Sequence, residues 1–326
     1  MGNWVRVLGI VSLIVAIKPA VRTQAQQEAV IRVTPNTQAG GGRSSQPAFV
    51  FDKNVEEVVL HASVSDEKHR LVTDLGAGDF TVLENGVRQQ VKFFANEDVP
   101  VAMGIIIDSS ASMLSKSRSV SQAALDLVRA SNKKDEIFVA DFNEHYRLDQ
   151  DFTADISKLQ SALQRIRFEG ETAIYDAIVA SAEHLYRNQS LDKRVLVIVT
   201  DGDDNFSNYS LSEAIEHVQL NGGPMIYTIG ILSEERTRSA ERALTSLAAA
   251  TGGIAYLPHH ASEVDAISEQ ISHDVRNQYT ITYKPSIPWS EAGYRQIKVQ
   301  VKTHGHKKLT ARTRNGYFAE TEQASQ

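Results

Sequence analysis

The chain has 326 residues, 42% of them hydrophobic and 23% charged, which supplies enough apolar material for folded domains and excludes wholesale disorder. Its net charge is -6 and it has no tract dense in Lys and Arg, which argues against nucleic acid as a partner, since that binding neutralises phosphates with basic side chains. The absence of cysteine excludes disulfides, thiolate metal sites, cysteine nucleophiles and lipid-modified cysteines together.

Residues 1–25 carry the grammar of an export signal. Arg6 supplies a basic start, 7–17 is an apolar run, and Thr23, Gln24 and Ala25 offer small residues at a cleavage site. The run falls short of the roughly 20 residues that a membrane span needs, and Lys18 and Pro19 interrupt it. The expectation is an exported protein, periplasmic or secreted, with no integral span after signal removal; an uncleaved N-terminal anchor is the alternative. Residues 26–48, with Gly40 to Gly42 in a row, read as a flexible lead-in.

A β unit is expected over 49–97. Val58, Leu60, Ala62 and Val64 recur at every second position, the period of a half-buried strand. Asn85 and Gly86 then separate two β-prone runs, 80–83 and 87–93, and both residues tolerate the positive φ of a tight hairpin. From 98 to 277 the pattern changes. The runs 101–107 and 195–200 are almost wholly apolar, as in strands buried on both faces. Strands are also expected at 137–142, 225–231 and 254–257. Helical periodicity fills 115–130, 156–166, 174–186, 211–220 and 238–250. Ser262 with Asp265 resembles a capping box opening a last helix, whose stripe is Val264, Ile267, Ile271 and Val275. Apolar strands alternating with helices predict a doubly wound, mainly parallel α/β sheet. The tail, 278–326, returns to strands at 278–283, 294–302 and 309–314. Neither β piece can hold a core alone. The fold expected is therefore an α/β domain inserted in, or flanked by, a small β-sandwich in which 278–326 pairs with 49–97.

The strand 101–107 runs into Asp108, Ser110 and Ser112 at alternate positions, and 195–200 runs into Asp201. Thr172 lies in a loop just before a helix. In open α/β sheets ligands collect outside the carboxyl ends of the strands. Carboxylate and hydroxyl oxygens without nitrogen or sulfur suit a hard cation: Mg²⁺ first, with Mn²⁺ or Ca²⁺ as alternatives. Two carboxylates and three hydroxyls cannot all bind Mg²⁺ directly and leave a position open, so some are expected to act through water.

In this order and on these elements, the residues resemble the metal-ion-dependent adhesion site of von Willebrand factor A domains, over roughly 98–277. The resemblance implies that Asp108, Ser110, Ser112, Thr172 and Asp201 hold one divalent cation. It also implies a non-catalytic adhesion module that grips an acidic side chain on a protein partner. Leu114, Ser115 and Lys116 follow Met113 without the paired acids of a neighbouring second metal site, hence one ion. The segments 80–86 and 313–318 resemble a group of bacterial secreted proteins carrying this domain. The resemblance further suggests that the last helix shifts on ligand binding.

Plainer readings stand beside these. Asp108, Ser110 and Ser112 could form a polar turn capping the next helix. Asp203, Asp204 and Asn205 read as a solvated loop, Asp203 with a route to a metal-bound water, and Glu171 as a rim residue. His259, His260, His304 and His306 read as surface loop, and Tyr283, Trp289, Tyr294 and Tyr317 as packing. A metal-dependent hydrolase, with Asp108 as nucleophile or the ion activating water, and a structural envelope component with a stabilising ion are the alternative functions. The sequence leaves the partner and the oligomeric state open.

Overall fold

The computed structural model describes residues 57–319, apart from 189, 202–203, 221, 232–236 and 305–307. The expected export signal, the lead-in and the first residues of the N-terminal β unit lie outside the described residues.

β1 (Val58–Asp66) buries Val58, Leu60, Ala62 and Val64 on one face, as its alternation requires. β2 (Phe80–Glu84) turns through Asn85 and Gly86, at φ 48° and 80°, into β3 (Val87–Arg88). The hairpin is where the Asn-Gly pair placed it, but its second arm is broken. Gln89 is buried and bonds Ser286 through its side chain, and β4 (Val91–Ala95) leaves for another sheet.

The α/β unit follows in chain order: β5 (Val101–Asp108), α1 (Ser117–Arg129), β6 (Glu136–Phe142), β7 (Tyr146–Thr153), α2 (Ile156–Leu163), α3 (Ile174–Arg187), β8 (Lys193–Thr200), α4 (Leu211–Gln219), β9 (Met225–Gly230), α5 (Thr237–Thr251), β10 (Ala255–Tyr256) and α6 (Val264–Arg276). The sheet order is β10-β9-β8-β5-β6-β7, parallel except for β7. Every residue of β5 is buried. Val101, Met103, Ile105 and Ile107 join one core with α1, α2 and α6. Ala102 and Ile106 join the other with α3, α4 and α5. The antiparallel β7 was not foreseen. It is a charged, half-buried edge strand, Tyr-Arg-Leu-Asp-Gln-Asp, whose apolar period is erased by the polar residues that protect an open edge.

The start of α6 also differs from expectation. A 3-10 turn (Ala261–Glu263) leads into it, its N-cap is Glu263 with no side-chain cap bond, and Ser262 with Asp265 forms no capping box. Glu263 instead bonds the backbone of His260 at 3.0 Å. The early turn shifts the cap by one residue and takes Ser262 out of capping position.

The tail supplies β11 (Tyr279–Tyr283), β12 (Gly293–Val301), β13 (Leu309–Arg312) and β14 (Gly316–Ala319). Two antiparallel sheets result, β13-β1-β11-β4 and β14-β12-β2-β3. Their facing residues share one core built on Leu60, Val82, Tyr279, Ile281, Tyr283 and Tyr317. Glu84 is buried in this core and accepts from the hydroxyls of Tyr283 at 2.6 Å and Tyr317 at 3.1 Å. β11 sits between β1 and β4, and β12 between β2 and β14. Removal of residues 278–326 is therefore expected to abolish amide hydrogen-exchange protection in β1, β2 and β4. Retained protection in those strands would show that they are held by something other than the tail.

Candidate metal centre

β5 and β8 are adjacent and parallel, with Ile107 beside Val199, so Asp108 and Asp201 leave the sheet at the same edge. From β5 the chain proceeds to β6 on one side, while β8 lies on the other, which makes this edge the switch point where α/β sheets open a crevice. Asp108 has no exposed surface and Asp201 keeps 4%. Asp108 Oδ1 accepts from the Ser110 amide at 2.9 Å, and Oδ2 accepts from Thr200 Oγ1 at 2.6 Å. Ser110 Oγ lies 3.1 Å from Ser112 Oγ, which donates to Asp201 Oδ1 at 2.8 Å. Lys116 Nζ donates to Asp201 Oδ2. Burial pushes the Asp108 carboxyl above its usual range, the bonds from Ser110 and Thr200 pull it back, and the charge of Asp201 pushes it up again.

The loop carrying Thr172 is laid against these residues by its backbone. The Glu169 amide bonds Ser109 O at 2.8 Å, and Gly170 O accepts from the Ala111 amide at 3.2 Å. Gly170 has φ 84°, and a Cβ there would meet Glu144 Oε2 at 2.2 Å, so this close approach needs glycine. Thr172, 5% exposed, donates its amide to Asn205 Oδ1 at 2.8 Å and accepts at its carbonyl from the amides of Asn205 and Phe206. Four of the expected residues, Asp108, Ser110, Ser112 and Asp201, thus form one hydrogen-bonded chain. Thr172 reaches the same loop cluster, but its hydrogen bonds among the described residues go to Asn205 and Phe206.

Two readings of single residues change. Asp204 and Asn205 are not merely a solvated loop. Asn205 binds Thr172 and Glu171, while Asp204 accepts from the Tyr175 amide at 3.3 Å and from Ser207. They tie the β8 loop to the start of α3. The lone turn reading of Asp108, Ser110 and Ser112 also fails, because α1 begins at Ser117 with Lys116 as its N-cap and no side-chain cap bond. Asp203 lies outside the described residues, as does His306; His259 and His260 are exposed.

Sequence reasoning passed over the layer beneath. Ser109 Oγ donates to the buried Asp141, and Arg147 binds Asp141, Ser109 Oγ at 3.1 Å and Asn143 Oδ1 at 3.3 Å. Asn143 in turn donates to Glu169 O at 2.9 Å, which links this layer to the Thr172 loop. Asp141 on β6, Asn143 in the turn after it and Arg147 on β7 carry no motif, so only the sheet order reveals them. Lys116 did carry a signal, the first basic residue after Asp108, eight positions on.

The donor set is all oxygen: two nearly buried carboxylates and three hydroxyls, balanced among the described residues by one ammonium. Such a set fits a hard divalent cation. Among the described residues no cluster of three His, Cys, Asp or Glu offers another metal site.

Residues 103–203 match the family model of the von Willebrand factor type A domain. This stretch is a von Willebrand factor type A domain. The match begins in β5 and runs past Asp201, so it encloses the whole oxygen cluster. Among solved structures, a von Willebrand factor type A protein from Catenulispora acidiphila is 14% identical, with 82% of this chain and 74% of that one covered, at a TM-score of 0.48. An aerotolerance-related membrane protein from Bacteroides fragilis is 18% identical, covering 54% and 98%, at 0.45. The corresponding domain of a type V pili tip protein from Porphyromonas gingivalis is 14% identical, covering 55% and 97%, at 0.46. No curated protein matches the chain.

Within this type A domain, Lys116 is the counter-charge of a nearly buried Asp201. In chelator, Lys116→Met is expected to lower the melting temperature by about 2–6 °C, corresponding to roughly 1–2 kcal/mol for an unpaired but not fully enclosed carboxylate. Lys116→Arg should recover most of the loss. Equal melting of all three proteins would show that the pair carries no load.

Proposed function

We propose that the type A domain is a cation-dependent, non-catalytic protein-binding module of an exported protein. The observation that carries this reading is the side-by-side burial of Asp108 and Asp201 at the ends of adjacent strands, joined through Ser110 and Ser112. Asp108, Ser110, Ser112, Thr172 and Asp201 would hold one Mg²⁺, or Mn²⁺ or Ca²⁺ in its place. When bound, the ion supplies a Lewis-acidic position that accepts a carboxylate oxygen from a partner.

The chain's own residues account for the rest. Thr200 and the Ser110 amide engage both oxygens of Asp108 and fix its carboxylate plane. Ser112 and Lys116 engage the two oxygens of Asp201, and Ser112 stands at the exposed rim beside Ala111, Leu114 and Ser115. An acidic side chain arriving there meets exposed hydroxyls and apolar atoms of Ala111, Ser112, Leu114 and Ser115, which suits a protein surface. Lys116 must release Asp201 for a doubly charged ion to take its place, so the site has a resident counter-charge in either state.

Among the described residues, the groups hydrogen-bonded to Asp108 and Asp201 are hydroxyls, an amide and an ammonium, none of which is a general base at neutral pH. This supports a binding role over hydrolysis. No described helix is long and apolar enough to cross a membrane.

Calorimetry of the full chain is expected to show one magnesium site, weakened at least about tenfold in Asp201→Ala. A partner captured from cell-envelope extract in magnesium should be lost in EDTA and lost with Asp201→Ala. Recovery unchanged by either treatment would overturn the binding role. A phosphatase or esterase rate abolished by Asp108→Ala would establish the hydrolase instead.

A further inference from the structure

A second charged site lies away from the carboxyl ends of the strands, where the 313–317 turn, β1 and the start of β8 line a half-open cavity of about 160 Å³. Arg194, Arg314, His61 and Tyr317 line it. Arg314 belongs to the tail segment 313–318 singled out in the sequence, and the oxygen cluster makes no use of it.

The state of Arg314 is unusual. Its guanidinium finds a single protein acceptor among the described residues, Val59 O, and its Nε is buried with no hydrogen-bond partner. No described carboxylate lies within ion-pair distance of it, in contrast to Arg276, Arg295 and Arg312. Its guanidinium carbon stands 5.8 Å from the centre of the Tyr317 ring. On another side is Gly222, at φ 73°, where a Cβ would come 2.4 Å from Arg314 Nη1. The positive φ is what favours glycine at this position.

Arg194 adds a second fork. It donates to Leu185 O at 3.1 Å and Asn188 O at 3.4 Å, and among the described residues its Nη1 has no protein acceptor. Burial first, and then the charges of Lys193, Arg314 and Arg194, hold His61 well below the usual imidazole range. The acids near the cavity are Glu57 and Asp192, and Asp192 is exposed and acts on Arg194. Neither neutralises Arg314. Arg314 is half-buried, its Nε is buried without a partner and no described carboxylate neutralises it, an arrangement that an anion on its open side would relieve.

We propose that this cavity is an anion site, taking one small multi-oxygen anion, a phosphate or a carboxylate, between the guanidinium groups of Arg194 and Arg314. The volume is ample for one such group. Planar guanidinium forks match the oxygen spacing of either anion. Because the cavity borders β1, β8 and the tail, an occupant would bridge the sandwich and the α/β unit.

The test is thermal melting of the full chain with inorganic phosphate or acetate against chloride at matched ionic strength. Saturating anion is expected to raise the melting temperature by about 2–4 °C beyond chloride. The increment should vanish in Arg314→Met and shrink in Arg194→Gln, while Arg314→Lys keeps part of it. Should Arg314→Met fail to fold, Arg194→Gln decides alone, since its side chain is half-exposed. A response to phosphate and not acetate identifies a tetrahedral oxyanion; a response to both identifies the carboxylate class as well. No increment over chloride, or the same increment in wild type and Arg194→Gln, overturns the proposal.

Discussion

Two acidic side chains of like charge, buried next to each other, are the constraint from which the rest of this domain follows. The parallel register of β5 and β8 puts Asp108 beside the strand that delivers Asp201, and neither carboxylate keeps appreciable contact with water. Such a pair is tolerable only with hydrogen-bond donors and positive charge at hand. Ser110, Ser112 and Thr200 provide the donors, and Lys116 provides the charge. The same requirement explains why the site sits at the start of α1, where a short loop can bring hydroxyls and a lysine back over the strand end.

The remainder of the fold holds β5 in place. At its beginning, the Val101 amide bonds the buried Asp135, which is itself gripped by Arg276 at the end of α6. At its far end, the Ser109 amide bonds Phe142 O and the Ser109 hydroxyl bonds Asp141. α6 is fixed again where Asp274 takes a hydroxyl bond from Tyr227 and an ion pair from Arg312 of the sandwich, and where Lys193 donates to Val275 O. Its C-terminal turn is therefore pinned to both units, and any shift of this helix has to break that set of buried contacts.

Legibility in the sequence followed the physics of each element. Strands β5 and β8 were plain because burial on both faces leaves unbroken apolar runs, and the Asn85–Gly86 turn was plain because few residues adopt positive φ. The α/β fold and the antiparallel sheets flanking it could both be read from that alternation. β7 was hidden because an edge strand carries charges at positions that would otherwise mark its inner face. The break at Gln89 was hidden because a buried polar residue satisfied by Ser286, 197 positions away, looks exposed until the chain is folded. Within the cluster, Asp108, Ser110, Ser112 and Asp201 were legible from strand ends and spacing. Asp141, Asn143 and Arg147 were not, since they contribute through contacts across β6 and β7 and through no local pattern.

Crystals of the full chain soaked in manganese test the central claim most directly. The account predicts one anomalous peak among the side chains of Asp108, Ser110, Ser112, Thr172 and Asp201, with Lys116 withdrawn from Asp201. A featureless map with the Lys116–Asp201 pair intact at saturating manganese would contradict it.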